Sequence, residues 1–392
     1  MEDIKMDRKL KCAVVGIGLL GIQHSTFLLN YPRAELVAIC DIKEEKLSDF
    51  SNKHKEYKVK TYTDCKEMYK NENLDLVIVA TQDPYHKEPV LEACRANLPY
   101  VICEKPFTTT ISDANEIIEA AKESDTKIYV LFPHRRHPLD EAIHILVKNG
   151  YLGTPKYGEL RADDNVSVPL SLWGTDGSKL WASISTPAYF LLSHAVDLLR
   201  FYFEPHEVIK VYAIGKKGII GSDVDYVDGY LTFDNGLSMR LKSEWTKYMK
   251  PGVLGDFYVQ LTGTNGGFVY NKSPGFGCNQ GLRFDLNCKE EDIREIQKLL
   301  ISKKIKSNVI ISTEGIYRNS LELSMAEAEG GNYFMWKNGI GHYLDFIMGD
   351  TTKKHLITDI TAGYYQVKVI DAMLKSIMTG KQVDISYNMN IV

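Results

Sequence analysis

Two residues of one predicted helix have side chains that could transfer a proton. His194 and Asp197 lie within Pro187–Phe203, where helical spacing places them on one face, one turn apart. An imidazole with a pKa near about 6.5 can exchange a proton with a hydroxyl group at neutral pH. A carboxylate one turn away could orient that ring. A half-buried histidine beside a surface acid is the structural alternative, and the residues alone leave both interpretations open.

A glycine-rich turn, which must lie at the end of a strand, has the pattern of a phosphate-binding site. Gly16, Gly18 and Gly21 follow the apolar run Cys12–Val15 and precede the helix-like segment Ile22–Asn30. The first glycine allows a tight turn, the second a close approach of a pyrophosphate, and the third close packing of helix on strand. The helix N-terminus then presents N–H groups and partial positive charge to the phosphates.

The residue after the next apolar run, Glu35–Cys40, favours one dinucleotide over the other. Asp41 follows the glycines by about 20 residues, where dinucleotide-binding folds place the acid that accepts hydrogen bonds from a ribose diol. A 2′-phosphate would meet this carboxylate, so the sequence favours NAD. Lys43 could swing toward such a phosphate, so NADP stays open.

A lysine in the motif Glu104-Lys105-Pro106 is another candidate for proton transfer. The motif directly follows the apolar run Tyr100–Cys103. A lysine after a buried strand has its ammonium group at the ligand-binding edge of the sheet. An oxidised nicotinamide ring nearby would lower the pKa of Lys105 and make it a usable acid or base. A solvated loop lysine is the alternative.

Alternating strands and helices must position these groups. Leu74–Ala80 is a continuous apolar run, typical of a parallel strand covered on both faces, and the loop Thr81–His86 follows it. The alternation through the first third of the chain predicts an α/β fold with a doubly wound parallel sheet. Ligands of such sheets lie at the carboxyl ends of the strands, which is where this loop falls.

The second half of the chain predicts a different architecture. Its strands are grouped together, as in Asp225–Phe233 and Leu237–Trp245, which are joined by a turn that contains Asn235-Gly236. Grouped strands favour antiparallel pairing. At 392 residues the chain is long enough for two domains.

Composition excludes several classes of protein. The net charge is −4 with no long basic run, so nucleic-acid binding is not expected. The seven cysteines are scattered without a C-x-x-C pair, which indicates a reducing compartment and no structural zinc. We expect no metal site. Because no run of about 18 apolar residues occurs, we expect no membrane span and a cytoplasmic protein.

The motifs together resemble the Gfo/Idh/MocA oxidoreductases, a family that includes glucose–fructose oxidoreductase and inositol dehydrogenase. The glycine turn, the Thr81–His86 loop and Glu104-Lys105-Pro106 occur in the family's order and spacing, and the resemblance extends over essentially the whole chain. Further matches are Arg135-Arg136-His137-Pro138, Asn149–Gly153 and Ser193–Arg200. The resemblance implies a Rossmann domain over 1–134 and, over 135–392, an α+β domain with a large, mostly antiparallel open sheet that often pairs protomers.

The resemblance also implies a site. The usual chemistry is NAD(P)-dependent oxidation of a sugar or polyol hydroxyl, with Lys105, His194 and Asp197 as catalytic residues, and a homodimer or homotetramer. The predicted cofactor residues are Gly16, Gly18, Leu19, Leu20, Gly21, Asp41, Ile42, Lys43, Thr81, Asp83, His86, Glu104 and Lys105. The predicted substrate residues are Arg135, Arg136, Asn165, Phe190 and His194.

Some features leave alternatives open. Phe190 stands where the family commonly has an aspartate one turn before the histidine. Arg135 and Arg136 could bind a substrate anion or form a salt bridge at the domain junction. Trp173, Trp181 and Tyr189 could form a stacking wall for a sugar or pack in the core. The alternatives to a dehydrogenase are an NAD-dependent glycosidase without net redox change and a non-catalytic nucleotide-binding regulator.

Overall fold

The fold was obtained as a computed structural model, which describes residues 8–172, 181–217, 220, 224–249, 253–272, 281–311, 319–324 and 340–387. Trp173 lies outside these residues. Contacts between Cα atoms divide the chain into two compact units. The first contains the described residues up to Pro133 and from Ile340 to Val367, and the second contains those from His134 to Ser324 and from Lys368 to Tyr387.

The first unit contains a parallel six-stranded sheet in the order β3-β2-β1-β4-β5-β6. Its strands are β1 (Leu10–Val15), β2 (Ala34–Cys40), β3 (Lys60–Tyr62), β4 (Leu76–Val79), β5 (Tyr100–Glu104) and β6 (Lys127–Leu131). Its helices up to Pro133 are α1 (Leu19–Asn30), α2 (Glu44–Lys53), α3 (Cys65–Asn71), α4 (Lys87–Arg95) and α5 (Ile111–Ser124). The doubly wound fold predicted from the alternating pattern is confirmed.

Two apolar cores explain why the strands are hydrophobic on both faces. All of β4 is buried, and alternate residues of β1 belong to different cores, with Ala13 in one and Val14 in the other. A strand covered by helices on both sides has no solvent face, so its sequence cannot alternate.

A C-terminal segment of the first unit packs against β6 of its sheet. The hydroxyl groups of Tyr343 and Thr358 donate to the carbonyl oxygen of Val130 on β6. A Cβ atom on Gly363 would lie 2.6 Å from Val130 Cγ2, so only glycine permits this close approach. This arrangement differs from the contiguous domains 1–134 and 135–392 that the sequence predicted, because these contacts join residues more than 200 positions apart.

The second unit contains a ten-stranded sheet in the order β14-β15-β13-β12-β11-β7-β10-β9-β8-β16. Its strands are β7 (Pro155–Asn165), β8 (Val208–Lys216), β9 (Tyr226–Phe233), β10 (Ser238–Lys247), β11 (Gly255–Gly263), β12 (Gly266–Asn271), β13 (Gly281–Leu286), β14 (Asn308–Ile310), β15 (Asn319–Ser324) and β16 (Val383–Asp384). The pair β7–β10 is parallel and the other pairs are antiparallel. The predicted β9–β10 hairpin is confirmed, with Gly236 at φ +83° in its turn.

The helices after Pro133 are α6 (Pro138–Lys148), α7 (Pro187–Phe190), α8 (Leu192–Phe203), α9 (Glu290–Ser302), α10 (Gly341–Ile347) and α11 (Ile360–Thr379). The single helix predicted over Pro187–Phe203 is interrupted at Leu191, so Phe190 and His194 belong to separate helical segments. Helix α8 contacts α6 and strands β7 and β10. Among the helices described, none is both long and apolar enough to cross a bilayer.

The two faces of the large sheet differ in polarity. Inward residues such as Leu160, Leu241 and Val259 are buried, whereas Tyr212 and Tyr230 are exposed on the opposite face. These two tyrosines are cross-strand neighbours. An antiparallel sheet with one covered face gives this alternation.

One ion pair on that outer face joins β9 to β10. Arg240 donates to both carboxylate oxygens of Asp228, at 3.0 and 2.7 Å, and the Tyr226 hydroxyl donates to the same carboxylate at 2.9 Å. Burial acts to raise the pKa of Asp228, but the hydrogen bonds from Arg240 and Tyr226 outweigh it. The pKa is therefore lowered from its usual value.

Candidate functional site

Two glycines of the N-terminal turn are required by the protein's own packing. Gly16 has φ +90°, and a Cβ atom there would lie 2.7 Å from the carbonyl oxygen of Ala80. A Cβ atom on Gly21 would lie 1.7 Å from the carbonyl oxygen of Gly16. These two positions hold α1 tightly against the turn after β1.

Gly18 differs from the other two glycines. It is the N-cap of α1, no side chain caps the helix there, and no heavy atom lies within 4 Å of the position a Cβ would take. The chain therefore does not need glycine at this position for its own packing. A close approach of a ligand to the backbone does need it, and the first-turn N–H groups favour an anion. Gly18 thus fits a dinucleotide pyrophosphate.

Asp41 at the end of β2 is fixed by the same turn. Its carboxylate accepts hydrogen bonds from the backbone N–H of Ile17 at 2.7 Å and of Lys43 at 2.9 Å. Ile42 is 86% exposed. The ammonium group of Lys46, in the first turn of α2, lies 3.8 Å from Asp41 Oδ2. Lys46 was not predicted as a site residue from the sequence. The only sequence feature that could have indicated it is its position five residues after Asp41.

The loop after β4 is held by His86. One ring nitrogen of His86 lies 2.7 Å from the carbonyl oxygen of Pro106, and the other lies 3.1 Å from that of Thr81. The ring is buried, as is the side chain of Asp83. Both ring nitrogens contact the protein's own carbonyl groups, so His86 joins this loop to the segment after β5. His86, which was predicted to bind the cofactor, therefore also has a structural role.

Lys105 lies immediately after β5 and is 3% exposed, so it is not a solvated loop lysine. The carboxylate of the preceding Glu104 accepts hydrogen bonds from the backbone N–H of Lys105 at 3.2 Å and from His24 Nε2 on α1 at 2.8 Å. His24 was not predicted from the sequence. No motif marks it, because its partner lies 80 positions away.

The first unit thus gathers its predicted residues at one sheet edge. The glycine turn, Asp41, the Thr81 loop and Lys105 follow the carboxyl ends of β1, β2, β4 and β5. These four strands are parallel neighbours in the sheet. Their carboxyl ends therefore lie together, where open α/β sheets bind ligands.

In the second unit, Asp197 pairs with an arginine. Arg135 donates from Nε at 2.8 Å and from Nη2 at 2.7 Å to the two carboxylate oxygens. Both side chains are buried, and Arg135 also lies over the ring of Phe201 at 5.0 Å. Burial raises the pKa of the Asp197 carboxyl group, and the arginine acts against that rise. The Asp197 carboxylate, predicted to orient the His194 ring, thus binds the Arg135 guanidinium, which was predicted to bind substrate or to form a salt bridge.

His194 lies on α8 one turn before Asp197. Its buried ring meets that of His134 edge to face, with centroids 4.6 Å apart, and His134 stacks on Phe257 at 5.3 Å. The candidate base is therefore in contact with a second histidine, which in turn stacks on a phenylalanine. Arg136, the neighbour of Arg135, is also buried.

The remaining predicted substrate residues have clear local partners. Phe190 packs against Trp181 at 4.6 Å and Trp245 at 6.2 Å, measured between ring centroids. It replaces the family's carboxylate with part of an aromatic cluster. The amide of Asn165 donates to the carbonyl oxygen of Val253 at 2.8 Å and accepts from the backbone N–H of Ser167 at 3.1 Å, so it holds the end of β7.

Comparison with known families agrees with this geometry. Residues 10–132 match the GFO_IDH_MocA family model, which is described as "Oxidoreductase family, NAD-binding Rossmann fold". Residues 141–269 match the family model of the GFO/IDH/MocA C-terminal domain. Together they cover more than half of the chain. The fold and the two family models define an NAD-binding oxidoreductase family, and the chain belongs to this GFO/IDH/MocA family.

Individual relatives are distant. The chain is 28% identical over 236 residues to myo-inositol 2-dehydrogenase of Thermotoga maritima, covering 58% of this chain and 66% of that protein. It is 29% identical over 153 residues to D-apiose dehydrogenase of Paraburkholderia graminis, covering 39% and 40%. The alignments thus span less than two thirds of these relatives' lengths. The crystal structure of the WlbA dehydrogenase from Bordetella pertussis with NADH and UDP-GlcNAcA has the same fold, with a TM-score of 0.75, 18% identity, and coverage of 97% and 99%.

Proposed function

We propose that the protein is a dehydrogenase that transfers a hydride between a hydroxyl-bearing carbon of a sugar, polyol or derivative and the nicotinamide of NAD, with NADP as an alternative cofactor. The observation that carries this proposal is Lys105. A buried lysine follows β5 at the sheet edge that also bears the glycine turn and Asp41. Relatives named as dehydrogenases of inositol and apiose support the substrate class.

The chain's residues would handle the proton of the reacting hydroxyl. NAD, when bound, supplies the hydride acceptor. Lys105 and His194 are the residues proposed to accept or return the hydroxyl proton. Asp197 would act indirectly, because its contact with Arg135 fixes α8 one turn from His194. Asp41, held by the Ile17 amide, would accept hydrogen bonds from the adenosine ribose.

A spectroscopic screen tests the proposal. The purified chain is mixed with a panel of sugars and polyols, with NAD and NADP in parallel, and formation of the reduced cofactor is followed by absorbance. We expect NAD reduction by at least one substrate and slower reduction of NADP. Cleavage of a glycoside without net NADH would indicate a glycosidase. Tight NAD binding without turnover across the panel would indicate a non-catalytic regulator, a function that Phe190 would suit.

We also propose that the outer face of the ten-stranded sheet pairs two protomers. Tyr157, Tyr212 and Tyr230 are exposed there, beside the charged pair Asp228–Arg240. Large aromatic side chains rimmed by polar groups are typical of protein interfaces. The proposal predicts a homodimer or homotetramer.

A further inference from the structure

The carboxylate of Glu104 connects two parts of the first unit. One oxygen, Oε1, lies 2.8 Å from His24 Nε2, and the other, Oε2, accepts the backbone N–H of Lys105 at 3.2 Å. Both Glu104 and His24 are buried. An ionised carboxylate only accepts hydrogen bonds, and with Glu104 in that form the donor of this contact is His24 Nε2. A buried carboxylate without such donors would be costly, which makes both contacts necessary.

The two contacts link the phosphate-binding helix to the lysine. His24 lies on α1, in the turn after Gly21, and Glu104 is the last residue of β5. On the other side of Lys105, the carbonyl oxygen of Pro106 lies 2.7 Å from His86 Nδ1. The backbone N–H of Lys105 is therefore bound by the Glu104 side chain, which His24 contacts, and the carbonyl oxygen of Pro106 is contacted by the buried side chain of His86.

We propose that His24 is a positioning residue for Lys105, acting through Glu104. The inference rests on the proposed function, in which Lys105 moves the hydroxyl proton. It assigns Glu104, predicted as a cofactor residue, the task of fixing the lysine relative to α1. Small displacements of a proton-transfer group reduce turnover strongly, whereas they leave cofactor affinity largely unchanged.

Three variants test the proposal. His24→Phe keeps a ring but removes the donor, and His24→Gln restores an amide N–H near the position of Nε2. Glu104→Gln keeps the volume, but its amide nitrogen cannot accept a hydrogen bond. If His24→Phe does not fold, Glu104→Gln still tests whether the contacts of Glu104 position Lys105. His144→Phe is the control, because His144 is a buried histidine whose ring contacts the carbonyl oxygen of Phe201 in the second unit.

Turnover and cofactor affinity separate positioning from direct cofactor binding. We expect His24→Phe and Glu104→Gln to lower kcat by about 10- to 100-fold while the Kd for NADH changes by no more than about twofold. His24→Gln should recover most of kcat. His144→Phe should not lower kcat selectively relative to its effect on the Kd for NADH. An unchanged kcat in His24→Phe, or a Kd that rises in step with the fall in kcat, would overturn the proposal.

Hydrogen exchange tests the link without turnover. The backbone N–H of Lys105 should exchange faster in His24→Phe and at the wild-type rate in His24→Gln and His144→Phe. Unchanged protection in His24→Phe would show that His24 does not hold Lys105. If the wild-type protein reduces no cofactor with any substrate, the proposed dehydrogenase function fails, while this exchange result still decides whether His24 fixes the lysine.

Discussion

The guanidinium group of Arg135 donates two hydrogen bonds to the carboxylate of Asp197, at 2.8 and 2.7 Å, in a buried part of the second unit. The pair joins the segment before α6 to α8. Because both charges are buried, removing one would leave the other without compensation.

Replacement of one member of this pair should therefore be costly. We expect Arg135→Met to lower the free energy of unfolding by about 3–5 kcal/mol, and Arg135→Met with Asp197→Leu to be less destabilising than the single change. Urea unfolding measures both. Arg294→Met is the control, since its pair with Glu290 is half exposed and worth less than about 1 kcal/mol. Equal losses of unfolding free energy in Arg135→Met and Arg294→Met would contradict a stabilising role for the buried Arg135–Asp197 pair.

Two glycine variants should behave differently. Gly21→Ala places a Cβ atom 1.7 Å from the Gly16 carbonyl oxygen and should prevent correct folding. Gly18→Ala meets no atom within 4 Å, so its melting temperature should stay within about 3 °C of the wild type. Its affinity for NADH should nevertheless fall by about tenfold or more, because the methyl group would occupy the space proposed for the pyrophosphate. Calorimetric titration that gave Gly18→Ala wild-type affinity would exclude the glycine turn as the phosphate site.

Lys105→Met should separate chemistry from binding. The variant keeps most of the buried side chain but cannot transfer a proton. We expect turnover to fall by about 10²- to 10⁴-fold, with a small change in NADH affinity. Lys127→Met, which removes an exposed lysine at the start of β6, should retain full activity. Normal turnover in Lys105→Met would remove this residue from the mechanism.

The polar side chain of Asp228 gives a pH-dependent contribution to stability. Its pKa in the folded protein is below the unfolded value of about 3.9, so its contribution is complete above that pH and is lost as the pH falls through the folded-state pKa. At pH 7 Asp228→Asn should lower the free energy of unfolding by about 1 kcal/mol. The difference from wild type should shrink in acid below about pH 4. Glu119→Gln, an exposed control, should show no such trend.

Tyr230→Asp tests the proposed protomer interface. A charge placed on this exposed face should disfavour association, and light scattering after gel filtration should then report the monomer mass. Tyr57→Asp, in the first unit, should leave the wild-type mass unchanged. A monomeric wild type, or an oligomer that persists in Tyr230→Asp, would argue against pairing through this face.

Local patterns in the sequence were enough to predict much of the fold. The glycine turn, the apolar run of β4 and the Asn235-Gly236 hairpin depend on neighbouring residues, and the structure contains all three. Helical spacing alone does not reveal the arginine partner of Asp197, because the nearest titratable residues along the helix are His194 and Arg200, each three positions away. The partner in the structure, Arg135, lies 62 positions away and cannot be identified from periodicity.

The same reason accounts for the other omissions. The role of His24 depends on its contact with Glu104, 80 positions away. The C-terminal contacts with β6 depend on the return of the chain to the first sheet. Neither leaves a periodic pattern. The interruption at Leu191 was also not predicted, since Pro187–Phe203 carries no internal proline or glycine that would mark it.

The hydrogen bonds from Tyr343 and Thr358 to Val130 bear on how the chain matures during translation. The edge strand β6 leaves the ribosome long before its covering residues do. Until Tyr343 emerges, the nascent nucleotide-binding half has an uncovered apolar flank. A ribosome-bound chain stalled in the second unit should therefore be a substrate for chaperones, and expression of the first 133 residues alone would reproduce that incomplete state.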